Sequence, residues 1–192
     1  MRSVVVTGVS TGIGHASAQV LLDKGYKVFG SVRNMADAER LSREFGAGFT
    51  PLHFDITDEA AVKECAAQVR DALNGETLAG LVNNAGVMHT PEGRTEDGFE
   101  TQFGINHLGH FLLTELLLDT LKASAPARII NVGSIDGLNV NKLGTYSYGP
   151  SKAAIHHLTR TFASHLAGRH ITANAIAPGP FPSKMTAGIA AT

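Results

Sequence analysis

Short apolar runs rich in β-branched residues alternate with helical patterns along almost the whole chain. The runs that predict strands are residues 3–6, 27–32, 48–54, 80–83, 128–132 and 171–176. The helical patterns between them cover residues 13–24, 36–45, 58–73, 99–123 and 148–167. Several of the strand runs are almost continuously apolar, which is typical of strands covered on both faces. The alternation therefore predicts an α/β fold, with a parallel sheet between two layers of helices.

Length and charge limit the classes of protein to consider. The 192 residues fit one domain, 1–192, better than two. The 16 basic and 17 acidic side chains give a net charge of −1, which argues against a nucleic-acid partner or an acidic lipid surface. Cys65 is the only cysteine, so no internal disulfide is possible. No apolar stretch reaches the roughly 18 residues of a membrane span. We therefore expect a cytoplasmic protein without a membrane partner.

A glycine-rich turn follows the first predicted strand. Residues 7–14 read TGVSTGIG, a G-x-x-x-G-x-G pattern that runs into the first helical segment. Glycines let the backbone approach a pyrophosphate closely, and the start of a helix supplies free N–H groups and the positive end of a dipole. A glycine-rich turn can also be a simple connection. The strand–turn–helix context favours nucleotide binding.

The end of the second predicted strand bears on which dinucleotide is bound. An acidic residue there would accept a hydrogen bond from the adenosine ribose, whereas an arginine accommodates a 2′-phosphate. No acid ends this strand, and Arg33 follows it immediately. The sequence therefore favours NADP(H) over NAD(H), with Ser10 and Thr11 available to assist by hydrogen bonding. The alternative is that Arg33 is an ordinary exposed loop arginine.

Tyr148 and Lys152 are four residues apart at the start of the last helical segment. Residues at this spacing share one face of a helix. A tyrosine has an ordinary pKa of about 10, and a nearby positive charge favours the phenolate and lowers that pKa. Such a tyrosine can act as a general acid or base. Tyr146 lies six residues before Lys152 and does not share its face, so Tyr148 is preferred. The alternative is a surface Tyr/Lys pair without catalytic function.

Four features of the sequence occur in a fixed order that resembles the short-chain dehydrogenase/reductase family. They are the turn at residues 7–14, the sequence Asn83-Asn84-Ala85-Gly86, Ser134 after the fifth strand, and the Tyr148/Lys152 pair. The resemblance covers essentially the whole chain and implies a Rossmann-type, doubly wound parallel sheet in a three-layer α/β/α arrangement. It implies catalytic roles for Asn106, Ser134, Tyr148 and Lys152. The cofactor-binding residues that it implies are Gly8, Ser10, Thr11, Gly12, Ile13, Gly14, Arg33, Asp55, Ile56, Asn83, Ala85, Gly86, Tyr148, Lys152, Pro178 and Gly179.

The chemistry that the resemblance implies is NADP(H)-dependent hydride transfer between a carbonyl and a secondary alcohol. Tyr148 would exchange the proton, and Lys152 would lower the pKa of Tyr148 and bind the nicotinamide ribose. Ser134 would hold the substrate oxygen, and Asn106 would hold a water that connects Lys152 to solvent. Each residue also has a simpler explanation. Ser134 could merely end a strand, Asn106 could make a buried polar bond, and Asp55 could cap the next helix.

The chain ends at Thr192, before the substrate-covering segment, the further helix and the final strand that the family usually has. We therefore expect six strands, with the usual last strand missing and the sixth strand at the sheet edge. An alternative function follows, namely a catalytically silent NADP(H)-binding protein or a fragment that needs a complementing chain. The helices starting near Phe99 and Tyr148 match those of a family interface, which implies a homodimer. The partner implied beyond the cofactor is a small-molecule carbonyl or alcohol substrate.

Residues 1–86, 87–134 and 146–186 resemble different branches of the family: general reductases, retinol-dehydrogenase-like proteins and bacterial ketoacyl-type reductases. A recombined or designed sequence is one hypothesis for this pattern. Gly133 is a smaller departure, because a second serine is common at that position. The nine histidines lack an accompanying carboxylate-rich motif, so no metal is expected. Ser134 is not in a G-x-S-x-G elbow, which argues against a serine hydrolase.

Overall fold

The structure, a computed structural model, describes residues 2–140 and 146–180. Its strands are β1 (Arg2–Val6), β2 (Lys27–Val32), β3 (Phe49–His53), β4 (Thr77–Asn83), β5 (Ala127–Val132) and β6 (Ile171–Ile176). Its helices are α1 (Gly12–Asp23), α2 (Met35–Phe45), α3 (Glu59–Leu73), α4 (Thr101–Phe103), α5 (Gly109–Ala123) and α6 (Tyr148–Leu166). The predicted strands are confirmed, and the largest difference is that β4 begins three residues earlier than its apolar run suggested.

The six strands form one parallel sheet in the order β3-β2-β1-β4-β5-β6. The chain builds outward from β1 in one direction and then, from β4, in the other. In a sheet of this kind a ligand binds beyond the carboxyl ends of the strands where the order reverses. The turn that follows β1 lies at this reversal point.

Alternate residues of β1 face two separate apolar cores. Val5 packs in a cluster with side chains of α3, α5 and α6, such as Val69, Leu117 and Phe162. Val4 and Val6 belong to the second cluster, with residues of α1 and α2. Because successive side chains of a strand point to opposite faces, one strand of consecutive valines supplies both layers. The predicted three-layer α/β/α arrangement is confirmed.

The helical segment predicted for residues 99–123 is not one regular helix. It begins at Thr101, widens into a π-helical turn over Gly104–Leu108 and continues as α5. Turns of this kind are common at functional sites, and this one contains Asn106. Within residues 2–140 and 146–180, no helix is both long and apolar enough to cross a membrane.

Candidate active site

The turn between β1 and α1 brings two glycines into backbone conformations that other residues rarely adopt. Gly8 and Gly12 have φ angles of +69° and +64°. A Cβ on Gly14 would lie 2.1 Å from the carbonyl oxygen of Gly8, so that position has no room for a side chain. Ser10 lies on the turn and Ile13 in the first turn of the helix. The sequence prediction of a tight glycine turn that opens a helix is confirmed.

The first turn of α1 keeps backbone N–H groups available for an anion. Thr11 is the N-cap residue, but its side chain accepts no hydrogen bond from the helix. No acidic residue lies in the first turn to compete for the positive end of the helix. These features suit a phosphate group.

Residues 84–86 pack directly against this turn. Asn84 donates its side-chain amide to the carbonyl oxygens of Thr7 and Gly8, at 2.8 and 3.1 Å. A Cβ on Gly8 would lie 2.9 Å from the Cα of Ala85. At Gly86 a Cβ would lie 3.3 Å from Nζ of Lys152. The glycine turn, the segment after β4 and the lysine of α6 therefore meet at one place, as the resemblance implied.

The side chain of Asn83 is used inside the protein core. Its side chain is buried, and its Nδ2 donates to Thr114 on α5 and to Asn131 on β5. Both amide hydrogens are used, so the side chain of Asn83 joins β4 to its neighbours. The cofactor contact of this residue stays a prediction.

Arg33 is exposed at the end of β2, and no carboxylate among the described residues pairs with its guanidinium. A second charged group lies nearby that the sequence reading missed. Arg40 of α2 donates to the carbonyl oxygen of Ser10 and to Asp37, both at 2.9 Å. The hydrogen bond from Arg40 holds the pKa of Asp37 below its ordinary value. The available sequence signal was the spacing of opposite charges in α2, where Asp37 lies three residues before Arg40 and Glu44 four residues after it.

Asp55 and Ile56 follow β3 at the same edge of the sheet. One carboxylate oxygen of Asp55 accepts from the backbone N–H and the hydroxyl of Thr57, at 2.9 and 2.8 Å. Asp58, not Asp55, caps the following helix by accepting from Ala61. The alternative that Asp55 is a helix cap is therefore wrong. Ile56 is buried, and its carbonyl oxygen lies where a side chain at Gly109 would stand.

Tyr148 and Ser134 lie together at the carboxyl end of β5. Tyr148 is buried, with 6% of its surface exposed, whereas Tyr146 is 89% exposed. Burial raises the pKa of Tyr148 above its ordinary value, and a hydrogen bond with the Ser134 hydroxyl opposes that rise. The sequence suggested a pKa lowered by Lys152, whereas burial gives the opposite direction. The placement of Tyr148 nonetheless distinguishes it from Tyr146.

Lys152 is the only buried lysine in the described part of the chain. Its Nζ donates to the carbonyl oxygen of Val132 at 2.9 Å and lies 5.8 Å from the centre of the Tyr148 ring. Burial lowers the pKa of Lys152 to about 8. The pair is therefore not a surface pair.

Asn106 is held on the π-helical turn by three hydrogen bonds of its side chain. Its Oδ1 accepts from the backbone of Val87 at 2.9 Å, and its Nδ2 donates to Val87 and to Ser151, both at 3.0 Å. The structure thus shows the buried polar bonds that the simpler explanation of Asn106 described. The water-holding role stays a prediction.

Pro178 follows β6 and accepts a hydrogen bond from Ile135, just beyond Ser134, at 3.1 Å. Gly179 is exposed next to it. The exit of β6 thus lies against the loop that carries Ser134.

A model of one family, described as short chain dehydrogenase, matches residues 2–192. The chain belongs to the short-chain dehydrogenase family. The same family is found among solved structures. RhlG of Pseudomonas aeruginosa, solved as an NADP active-site complex, has 39% identity and a TM-score of 0.84 over 100% of this chain and 77% of its own. A short-chain dehydrogenase from Streptomyces avermitilis has 26% identity and a TM-score of 0.83 over 96% of this chain and 69% of its own.

Curated short-chain dehydrogenases with similar sequences include retinol dehydrogenase 13 of Homo sapiens, 40% identical over 195 residues. Retinol dehydrogenase 12 of Mus musculus is 39% identical over 202 residues. The alignments cover 93% and 96% of this chain, and the chain spans 58% and 63% of those relatives.

Sequence reasoning missed one buried histidine, which lies beside Thr7. His110 contacts the Thr7 hydroxyl through Nε2 at 3.0 Å and the Asn106 carbonyl through Nδ1 at 3.3 Å. The Asn106 carbonyl can only accept, so Nδ1 carries the hydrogen and Nε2 accepts from the Thr7 hydroxyl, whose oxygen itself accepts from the N–H groups of Asn84 and Ala85. Burial lowers the pKa of His110 to about 4, which keeps the ring neutral. The only sequence signal was a histidine one helical turn after Asn106.

The buried ammonium of Lys152 predicts a specific dependence of stability on pH. The pKa is about 8 in the folded protein and about 10.5 in the unfolded chain, so folding is penalised while the group must stay protonated. The penalty, about 3 kcal/mol below pH 8, is relieved as the pH rises from 8 towards 10.5. Between pH 7 and 9 we expect the free energy of unfolding of the cofactor-free protein to rise by about 1 kcal/mol relative to Lys152→Met.

Urea unfolding of both proteins at pH 7, 8 and 9 measures this difference. The comparison with Lys152→Met removes other titrations, such as that of Cys65, whose pKa burial raises to about 12. A difference between the two proteins that stays constant with pH would contradict the prediction.

Proposed function

We propose that this protein is an NADP(H)-dependent oxidoreductase that interconverts a carbonyl and a secondary alcohol. The observation that carries the proposal is the buried group of Ser134, Tyr148 and Lys152, which lies beside Gly86 and the glycine turn. A phenol, a hydroxyl and an ammonium that meet next to a dinucleotide turn can exchange a proton with a substrate oxygen. The NADP complex of RhlG and the names of the retinol dehydrogenases support the same class of reaction.

The residues of the turn fit a dinucleotide cofactor. The backbone at Gly8 and Gly14 leaves no room for side chains, and the start of α1 has N–H groups free for a pyrophosphate. Arg33 would face the 2′-phosphate and Asp55 the adenine, while Ala85 and Gly86 would line the path towards Lys152. Pro178 and Gly179 would back the nicotinamide ring. When bound, the nicotinamide supplies or accepts the hydride.

Tyr148 is suited to give a proton to a carbonyl oxygen. Its raised pKa keeps the phenol protonated at neutral pH, so the proton is present at the start of a reduction. The Ser134 oxygen already accepts from the backbone N–H of Asp136 at 3.1 Å, which directs the hydroxyl hydrogen away from that neighbour. Ser134 would use it to stabilise charge that develops on the substrate oxygen.

Lys152 would supply positive charge when the phenolate forms. Its Nζ, held by the carbonyl oxygen of Val132, lies 5.8 Å from the centre of the Tyr148 ring. A buried charge interacts strongly with its neighbours because little water screens it. The ammonium therefore stabilises a charge that appears during the reaction rather than before it.

A substrate panel tests the proposal. We expect oxidation of NADPH, followed at the absorbance of the reduced nicotinamide, with at least one of a set of ketones, aldehydes, retinal and 3-oxoacyl thioesters. Stabilisation by NADPH in thermal unfolding without oxidation of any panel member would instead favour the catalytically silent NADP(H)-binding protein. Failure of both measurements would overturn the proposal.

The preference for NADP(H) depends on Arg33. Removing its guanidinium in Arg33→Ala should raise the Kd of NADPH about 10- to 100-fold, because a charge-assisted hydrogen bond to phosphate is lost. The Kd of NADH, which has no 2′-phosphate, should change less than about 3-fold. Calorimetric titration measures both constants.

Arg43→Ala is the matched control. Arg43 is exposed on α2, and its substitution removes the same charge. Equal losses of NADPH and NADH affinity in Arg33→Ala would contradict the assignment of Arg33 to the 2′-phosphate.

We also propose a homodimer through the helices near Phe99 and Tyr148. Phe99 and Phe111, which are 51% and 42% exposed, would be covered in such an interface. Light scattering at micromolar concentration should give twice the chain mass of 20.2 kDa. A monomeric mass would contradict this prediction.

A further inference from the structure

A second buried histidine lies directly behind the loop that carries Ser134. His156 of α6 is 6% exposed, and its Nε2 lies 3.0 Å from the carbonyl oxygen of Ser134. The same nitrogen is 3.4 Å from the backbone nitrogen of Ser134. This longer contact would require an Nε2 without hydrogen that accepts from the Ser134 N–H. The shorter contact makes Nε2–H the donor and the serine carbonyl the acceptor.

Gly133 leaves the space that this ring occupies. A Cβ on Gly133 would lie 2.4 and 2.5 Å from Cε1 and Nε2 of His156, a distance that no real side chain adopts. Gly137 at the far side of the loop packs on the same helix, since its Cβ would lie 2.6 Å from the backbone carbonyl carbon of Lys152 and 2.8 Å from Cδ2 of His156. Two glycines of one loop therefore enclose one imidazole.

The loop is fixed from its other side as well. Gly133 donates its N–H to Ile176 at 2.8 Å, and Ile135 donates to Pro178 at 3.1 Å. These bonds attach the residues before and after Ser134 to β6 and its exit. The carbonyl of Ser134 itself is held by His156 from α6.

His156 also shares a helix face with the proposed catalytic pair. It follows Lys152 by four residues and Tyr148 by eight, and all three side chains are buried. One rigid helix thus sets the positions of the phenol, of the ammonium and, through the imidazole, of the serine hydroxyl.

We propose that His156 is a positioning residue for Ser134, and that Gly133 is the residue that makes room for it. The proposal rests on the proposed function, in which Ser134 holds the substrate oxygen. A hydroxyl that stabilises a transition state must be placed to within a fraction of an ångström, and a displacement of about 1 Å can lower a rate about 100-fold. The hydrogen bond from Nε2–H to the Ser134 carbonyl restrains the backbone of the loop and so prevents such a displacement of the hydroxyl.

A matched pair of substitutions isolates the donor. Gln and Met have similar size and flexibility, but only Gln offers an N–H near the position of Nε2. His156→Met should lower kcat about 10- to 100-fold, with little change in the Kd of NADPH. His156→Gln should restore kcat to within about 5-fold of the wild type. His157→Gln, at the exposed neighbouring histidine, is the control for substitution in this helix.

A second pair tests the contact without any turnover. Gly133→Ser should destabilise the protein, because its side chain meets the imidazole. His156→Ala in the same chain should relieve that clash. The double variant should therefore be more stable than the sum of the single effects predicts, by about 10-fold in the unfolding equilibrium constant. Urea unfolding of the four proteins measures this coupling.

The outcomes separate the two proposals. Equal kcat values for His156→Met and His156→Gln would overturn the positioning role, and additive unfolding effects would overturn the pairing with Gly133. Absence of turnover in the wild type would count against the proposed function alone, and the coupling in unfolding would then decide the pairing.

Discussion

Tyr148→Phe is expected to lower kcat for carbonyl reduction by about 10²- to 10⁴-fold, the range found when a positioned general acid is removed. The substitution deletes one oxygen from a buried ring, so the packing of the first turn of α6 should persist. The Kd of NADPH should change by less than about 3-fold, because the phenol is needed for the proton and not for holding the dinucleotide phosphates. Steady-state kinetics with a substrate found in the panel and a binding titration measure the two quantities.

Tyr146→Phe is the control, because it removes the same oxygen from a ring that is 89% exposed two residues away. It should keep kcat within about 2-fold of the wild type. Equal kcat values for Tyr148→Phe and the wild type would exclude Tyr148 as the proton donor, whatever the fold.

Gly14→Ala should abolish tight cofactor binding and also destabilise the protein. The new methyl group would lie 2.1 Å from the carbonyl oxygen of Gly8 and 2.4 Å from the side-chain amide of Asn84. Neither the backbone atom nor the hydrogen-bonded amide can move without opening the turn. We expect at least about a 100-fold rise in the Kd of NADPH and a loss of about 1–3 kcal/mol in the free energy of unfolding.

Gly168→Ala is the matched control for this substitution. A Cβ on Gly168 would meet no atom within 4 Å, and this glycine lies far along the chain from the turn. NADPH titration and urea unfolding of both variants separate the steric effect from the general effect of replacing glycine. A Gly14→Ala protein with wild-type affinity would contradict the assignment of the turn to the pyrophosphate.

The fold could be predicted almost completely from the sequence, because the spacing of apolar residues and the glycines at turns are local signals. The valines of β1 indicated a strand covered on both faces, and the structure shows one core on each side of it. The family resemblance predicted a doubly wound parallel sheet with the sixth strand at its edge, and the structure shows both. The single domain and the cytoplasmic location stay predictions.

The site was predictable in its members but not in its physical state. The meeting of Tyr148, Ser134 and Lys152 followed from the resemblance, whereas the direction of the Tyr148 pKa depends on burial, which no motif encodes. The π-helical turn at Asn106 has no sequence signature. His156 was missed for a related reason, since its importance lies in a contact with Gly133, 23 residues earlier in the chain.

The hydrogen bonds that run from Thr7 through His110, Asn106 and Ser151 to the backbone of Tyr148 have a consequence for redesign. Each link is a single bond of 2.7 to 3.3 Å between buried groups, and the side chains of Thr7, His110, Asn106 and Ser151 each supply a donor or an acceptor to it. Changing one member alone leaves an unpaired polar group in the interior. Libraries that alter cofactor or substrate preference should therefore hold these positions constant or vary them together as one unit, because a single change lowers stability as well as altering the site.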